Sequence, residues 1–453
     1  MSSKSREART ESSSPFVAMF VAAAIAIFAV VSLYTAAPPA PLPANAPASE
    51  FSAERAIAHV RAIAGAPHPL WSPGDASARE YIVAQLRAMG LDPQVQEATS
   101  VIRGRGFCSA GVVKNVVARM SGTANTRAVM LVAHYDSVPT GPGASDDGSG
   151  VATLLETLRA LKASPSLRND VIFLFSDGEE EGLYGARAFV RDNPWVKDVG
   201  VALNFEARGA GGTSFMFETS NDNGWLIRQF AAAAPYPSAN SLTYALYKLL
   251  PNDTDMTEFK KAGMAGLNFA YIGDWNRYHT MLDTVQNLDA RSLQQDGSYA
   301  LAMAGKFGNL DLRQTKEPDA AYFNTLGRFM VYYPLRWTLP IALIVLANFI
   351  VMLVVGFKTG TLAFRGIGLG LLASLISMVA AREIGAIAWW TLQRIHPYYS
   401  RMPWGDPYNG GIYLLALAAL TVLVTALIYG WCAKRATIGS LAAGAATWWM
   451  AAV

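Results

Sequence analysis

Apolar positions fall into two kinds of run along this chain. Short uninterrupted ones lie in its middle, and long ones lie at its two ends. Phe16 to Tyr34 carries no charge, close to the ~20 apolar residues that cross a bilayer. A second apolar block begins near Trp337. It divides into Trp337 to Phe357, Gly366 to about Trp390, Gly411 to about Trp431, and a shorter run from Ile438 to Val453. The first run predicts an uncleaved membrane anchor over 16–34, since the apolar part of a cleaved signal peptide is usually about 7–15 residues. Ala44-Asn45-Ala46 leaves a cleaved leader as the rival reading. The block from 334 to 453 predicts about four spans, the last being either a short span or part of a segment that continues past Val453. Lys4, Arg6 and Arg9 outweigh Glu7 and Glu11 and place residues 1–15 in the cytoplasm. The loops Lys358–Arg365 and Lys434–Arg435 then fall on the same side with their cations, while Arg394 and Arg401, offset by Asp406, fall on the other in mild conflict. A Pro/Ala-rich stretch over 35–48 reads as a semi-rigid linker. Residues 49–333 remain as an extracytoplasmic globular domain, long enough to bury one large core.

Inside that domain the periodicity alternates. Ser52–Ala64 and Ala76–Met89 read as helices, the second ended by Gly90. Asn115–Met120 is β-like. Ala128–Ala133 and Asp170–Phe175 are apolar runs of strand length, as expected of strands covered on both faces. Val151, Leu154, Leu155 and Leu158 share one helical face, and a further helix starts near Leu183. Val201–Phe205 and Gly266–Ile272 complete the set. Strands alternating with helices predict an α/β fold with a mostly parallel central sheet flanked by helices, plus transmembrane helices at both ends. Such sheets place their chemistry at the carboxyl ends of their strands.

Composition agrees once the ends are set apart. The 453 residues are 52% hydrophobic and only 16% charged, against about 25% charged in soluble globular proteins. A chain of this length is not expected to be disordered, and with a mean hydropathy of +0.22 it is too apolar for an ordinary cytosolic enzyme. With 37 Lys and Arg against 34 Asp and Glu, the formal charge of +3 excludes nucleic-acid binding by bulk charge. Cys108 and Cys432 are the two cysteines, which excludes a disulfide scaffold and a Cys-rich zinc module.

Polar residues gather after the buried strands. His134-Tyr135-Asp136 follows the first, and Asp146-Asp147-Gly148-Ser149-Gly150 opens the next helix. Ser176-Asp177-Gly178-Glu179-Glu180-Glu181 follows the second strand. Glu206 follows the third, and Tyr278-His279-Thr280 with Asp283 follows the last. Ser149 has no adjacent histidine, so a nucleophilic triad is poorly supported. Two histidines with several carboxylates suit Zn²⁺ or a similar divalent ion. Two catalytic ions sharing a carboxylate need five ligands, and His134, Asp146, Glu180, Glu206 and His279 are five. Such a pair holds a hydroxide between the ions and polarises a carbonyl oxygen, and Glu179 is the candidate base. Each element has a plainer reading. An acidic run is often a solvated helix start, Asp146-Asp147 an N-cap turn, and Glu206 a partner for Arg208. His59, His68 and His396 read as structural or surface residues. The joint placement of five donors after buried strands favours the metal site.

These blocks resemble a known family. His134-Tyr-Asp136-Ser137, Ser145-Asp146-Asp147-Gly-Ser-Gly150, Glu179-Glu180-Glu-Gly-Leu-Tyr-Gly185, Asn204-Phe-Glu206 and Tyr278-His279-Thr-Met-Leu-Asp283 are similar to the motifs of the co-catalytic zinc aminopeptidases, metallopeptidase family twenty-eight. Asn115-Val-Val-Ala-Arg119 and Pro67-His68-Pro69 also resemble it, so the likeness runs from about Phe51 to Leu310. The terminal spans make the chain similar to the membrane-bound branch of endoplasmic reticulum metallopeptidases and their bacterial relatives. The resemblance implies two zinc ions per chain. His134 and Glu206 would hold one, Glu180 and His279 the other, and Asp146 would bridge them. Glu179 would be the general base, Asp136 would orient His134, and Tyr278 would steady the oxyanion. Asp253 matches a segment near the site with its role open, and Glu181 is expected to be solvated. Residue 206 is Glu where many soluble members have Asp. The implied activity is removal of N-terminal residues from peptides. Carboxypeptidase or dipeptidase specificity is the nearest alternative, and a one-zinc glutaminyl-cyclase-like transfer is more remote. A non-catalytic receptor or scaffold on the same fold would be expected to lack ligands or base. A transporter reading rests on Arg382 and Glu383, which read better as a span end or helix contact. The expected partners are peptides and the lipid bilayer, with no nucleic acid. The expected location of the domain is the periplasmic side of a bacterial inner membrane, or a lumen. Substrate preference and oligomeric state are not legible.

Overall fold

The computed structural model describes residues 15–104, 106–325, 329–402, 404, 405, 407 and 409–452. Its compact units divide at two points: Ile27–Leu335 forms one, and the chain up to Ala26 with Arg336 onward forms the other.

In chain order the elements are α1 (Pro15–Ala36), α2 (Ala53–Ile63), α3 (Pro73–Ala88), β1 (Gln94–Gly104), β2 (Phe107–Met120), β3 (Ala128–His134), α4 (Gly148–Lys162), β4 (Val171–Ser176), α5 (Tyr184–Asp192), β5 (Val199–Ala207), β6 (Gly211–Thr219), α6 (Gly224–Ala233), α7 (Ser241–Tyr247), α8 (Asp255–Lys261), β7 (Ala265–Gly273), α9 (Ala290–Phe307), β8 (Ala320–Thr325) and β9 (Phe329–Pro334). The main sheet runs β1-β2-β4-β3-β5-β7-β6. Its four central strands, β4, β3, β5 and β7, are mutually parallel, while β1, β2 and β6 add antiparallel pairs at the edges. All seven residues of β3, Ala128–His134, are buried.

Alternate strand residues feed two cores, as the two-residue period requires. Val129, Leu131, Ala133, Phe173, Leu203 and Phe269 join residues of α3, α4, α6 and α9 on one face. Met130, Val132, Ile172, Leu174 and Ala202 meet Ala186 and Phe189 of α5 and Met256 and Phe259 of α8 on the other. Truncating one of the buried phenylalanines to Ala would cost about 3–5 kcal/mol. Helix starts are set locally. The Ser52 hydroxyl accepts from Arg55 N, and the Ser72 hydroxyl accepts from Asp75 N, with Pro73 in the first turn of α3.

Several elements go beyond the sequence reading. β2 starts at Phe107, ahead of the expected Asn115, and pairs along its length with β1. β6, α9 and the β8–β9 hairpin lie outside the elements expected from the sequence. The linker is tied down along its second half. Leu42 N donates to Gln294 Oε1 (2.9 Å), the Ser52 hydroxyl donates to Leu42 O (2.9 Å), and the Arg55 guanidinium donates to Ala44 O (2.7 Å).

The second unit holds α10 (Thr338–Lys358), α11 (Phe364–Ile395), α12 (Gly410–Ala433) and α13 (Ile438–Ala452). By length and composition, α1 and α10–α12 are long and apolar enough to cross a membrane. Arg382 and Glu383 lie in the interior of α11, exposed and ion-paired with each other.

Candidate metal centre

Four of the five expected ligands stand at or shortly beyond the carboxyl end of a strand of the main sheet, and Asp146 stands in the loop that leads from β3 into α4. His134 is the last residue of β3 and is 1% exposed at its side chain. Its Nδ1 lies 3.0 Å from the Asp136 carbonyl oxygen and 3.4 Å from Asp136 Oδ1. That fixes the ring and turns Nε2 the other way, 3.2 Å from Asp146 Oδ1 and 3.6 Å from Glu206 Oε2. His279 follows β7, in a left-handed backbone conformation (φ 57°). Its Nε2 lies 3.1 Å from Asp146 Oδ2 and 3.1 Å from Glu180 Oε1. The two oxygens of Asp146 therefore serve different histidines, each of which has a second carboxylate of its own.

Other carboxylates hold this arrangement in place. Both oxygens of Asp136 accept backbone N–H groups, from Glu179 (3.0 Å) and Glu180 (3.1 Å). Asp283 accepts from Ser145 N (2.7 Å) and Asp146 N (3.1 Å). Asp147 caps α4 by accepting from Gly150 N (2.9 Å), and its other oxygen accepts from His134 N (3.2 Å). The Asp146–Asp147 peptide is cis. Tyr278 stacks on His279 with centroids 3.7 Å apart, and the Arg208 guanidinium lies 5.3 Å above the Tyr278 ring. Among the described residues no ion pair joins Glu206 to Arg208, so the plain reading of Glu206 does not hold. Glu181 is exposed, as expected. Asp253 accepts from the Thr257 hydroxyl (3.1 Å) near the surface. The buried carboxyl of that segment is Asp255, which takes the Ser176 hydroxyl.

The electrostatics fit a cation. Burial pushes Glu180 up to about 8, helped by the charge of Asp146, and raises Glu179 well above the carboxylate range. Asp146 goes the other way. Burial would raise it, but hydrogen bonds to His134 and His279 hold it below its ordinary value. Burial opposes charge on both imidazoles and is outweighed. Asp136, Asp146 and Glu206 raise His134 well above normal, and Asp146 and Glu180 raise His279 to about 9. Without a metal the site thus holds protons between its carboxylates and imidazoles. Glu180 Oε1 is buried and faces His279 Nε2. Donor atoms of His134, Asp146 and Glu180 lie within 4.8 Å of one another, as do those of His134, Asp147 and Glu206. The donor set and its protonation fit a divalent ion such as zinc.

The sequence reading missed the grip of Asp136 on the Glu179–Glu180 backbone, the brace from Asp283, and the buried Asp255. The signals for Asp283 were its place four residues after His279 and its position at the end of the Tyr278–Asp283 motif.

Residues 115–304 match the profile described as Peptidase family M28. The chain is 32% identical over 233 residues to endoplasmic reticulum metallopeptidase 1 of Rattus norvegicus, covering 49% of this chain and 26% of that protein. It is 35% identical over 254 residues to the vacuolar membrane protease of Candida dubliniensis, covering 55% of this chain and 26% of that protein. The chain thus spans about a quarter of the length of these relatives. Among solved structures, a Bacillus subtilis zinc aminopeptidase is 17% identical with a TM-score of 0.46, over 59% of this chain and 98% of that one. Porphyromonas gingivalis glutaminyl cyclase is 21% identical with a TM-score of 0.44, over 55% and 96%.

Proposed function

We propose that this chain, whose residues 115–304 match peptidase family M28, is a membrane-anchored, zinc-dependent exopeptidase. Its most fitting activity is that of an aminopeptidase, removing N-terminal residues from peptides. The observation that carries the reading is the split of Asp146, whose Oδ1 faces His134 and whose Oδ2 faces His279. A carboxylate shared in that way suits two ions. His134 and Glu206 would hold one, His279 and Glu180 the other, with Asp146 between them. When bound, the ions supply Lewis acidity toward the scissile carbonyl and ease deprotonation of water.

The chain's own residues do the rest. Glu179 takes a proton from the attacking water as its oxygen bonds to the carbonyl carbon. It then delivers that proton to the leaving amine nitrogen as the C–N bond breaks. Its raised proton affinity, set by burial and by Glu206 and Glu180, suits a group that must hold a proton between the two steps. Asp136 holds the His134 ring and, through two backbone N–H groups, the turn that carries Glu179. Tyr278 stands beside His279 to donate toward the oxyanion.

We place the catalytic domain, 49–333, outside the cytoplasm. Lys358–Arg365 and Lys434–Arg435 would then lie inside, as the positive-inside rule asks.

Glu179→Gln is the test, run on the full chain against aminoacyl, blocked, C-terminal and N-terminal glutaminyl peptides. Hydrolysis of unblocked peptides is expected to fall by about 10²–10⁴-fold with zinc content unchanged. Unchanged turnover, or wild-type protein that binds no zinc, would overturn the mechanism. Cyclisation of the glutaminyl peptide without hydrolysis of the others would replace it.

A further inference from the structure

Glu206 is held from behind by a polar line that crosses three strands on the sheet face covered by α8. Asn204 of β5 and Asn268 of β7 are register partners, and Asn268 is in turn the partner of Glu218 on β6. All three side chains are buried. Lys260 of α8 donates to Glu218 Oε1 (2.6 Å). Asn268 Nδ2 donates to Glu218 Oε2 (2.9 Å) and to the Thr254 hydroxyl (2.8 Å). Asn204 Nδ2 donates to Asn268 Oδ1 (3.0 Å) and to Glu206 Oε1 (2.8 Å).

The line has a direction, and the direction is forced. Lys260 can only donate and the Glu218 carboxylate can only accept. Asn268 must therefore turn its amino group to Glu218, which leaves its oxygen toward Asn204. Asn204 then faces acceptors on two sides and must give both its hydrogens. Its own oxygen is left buried without a hydrogen-bond partner, the cost of that choice. Glu206 is pinned through Oε1, and Oε2 is the oxygen left facing His134.

We propose that the Glu218–Lys260 ion pair is a remote positioning device for the metal centre, setting through Asn268 and Asn204 which oxygen Glu206 offers and where. This rests on the reading of Glu206 as a ligand. Replacing Glu218 by Gln breaks the direction. Gln has one donor and one acceptor end, so it meets either Lys260 or Asn268 donor to donor. If Asn268 turns over in response, Asn204 must turn as well, and its oxygen is driven against Glu206.

The test is a zinc titration of the full chain against a competing chelator, with thermal unfolding of the metal-free protein alongside. Wild type is expected to bind two ions. Glu218→Gln should weaken one binding step by roughly 10–100-fold and leave the other within about threefold, the size usual for partners behind a metal ligand. The swap Glu218→Gln with Asn268→Asp restores an acceptor at each required place and should recover most of the loss. Lys260→Met, partly exposed, should give a smaller loss in the same step and serves if Glu218→Gln does not fold. Wild type that binds no zinc overturns the ligand reading itself. Two ions bound with both steps unmoved by Glu218→Gln and Lys260→Met overturns the positioning role alone. So does a folded swap variant as weak as Glu218→Gln, or an equal loss at both steps that tracks a fall in metal-free melting temperature.

Discussion

The two halves of the centre are built differently. His134 and Glu206 project from adjacent parallel strands, and their side chains are 1% and 8% exposed. His279 and Glu180 sit on turns, with side chains 27% and 7% exposed. The first half is part of the sheet's own packing, with Asp136, Asp147 and Asn204 bonded to it. The second is a pair of loop residues brought to the same carboxylate, Asp146, with His279 on strained backbone. The contrast teaches that one half of the donor cluster is fixed by the core and the other is closed onto it.

Three measurements would break or sharpen that contrast. The largest effect is expected from removing each imidazole in turn. His134→Asn should cost the metal-free fold about 3–5 kcal/mol, because it leaves buried carboxylates without their partner. His279→Asn should cost well under half of that, and each should lower bound zinc by about one ion. Denaturant unfolding with metal analysis checks this, and equal costs would erase the distinction.

A second effect is on pH. His279 is raised to about 9 in the metal-free fold, where burial opposes charge but Asp146 and Glu180 prevail. An imidazole raised above its unfolded value stabilises the metal-free fold fully below about pH 6.5, and that contribution fades as pH climbs through about 9. Zinc must displace the same proton, so its affinity should rise about tenfold per pH unit for each proton displaced, from about pH 6 toward 9. The gap in melting temperature between zinc-loaded and metal-free protein should widen over that range. A gap that stays constant would place His279 outside the centre.

The smallest effect concerns the brace. Asp283→Ala strips the acceptors from Ser145 N and Asp146 N and should cost about 1–3 kcal/mol. Because Asp146 serves both halves, both zinc-binding steps should weaken together, which separates it from Glu218→Gln. Loss confined to one step would mean Asp146 does not bridge.

The residues that cluster here stood out in the chain because parallel strands buried on both faces leave uninterrupted apolar runs, and the polar groups gather after those runs or in the adjoining loops. The supports did not. β1 is solvent-facing and mixes Gln94, Gln96, Glu97 and Arg103 with its apolar positions, so it shows no such run. α9 buries Ser292, Gln294, Gln295 and Asp296, which interrupt its apolar stripe, and their partners Leu42, Phe51 and Ser214 are remote in sequence. Asp253 was singled out by motif, whereas burial selects Asp255, two residues on and turned inward toward Ser176. Glu218 and Asn268 act through cross-strand register, which a linear pattern does not contain.

The turn that Asp136 grips carries Glu179 and Glu180 side by side, so the proposed proton carrier and a proposed ligand are separated by a single peptide unit, about 3.8 Å between α-carbons. That span is fixed by the planar trans peptide, indifferent to packing or mutation elsewhere. Drift in the surrounding protein can tilt the pair or swing it as a whole. It cannot stretch the interval between the two residues, so the fold is left only with the task of aiming.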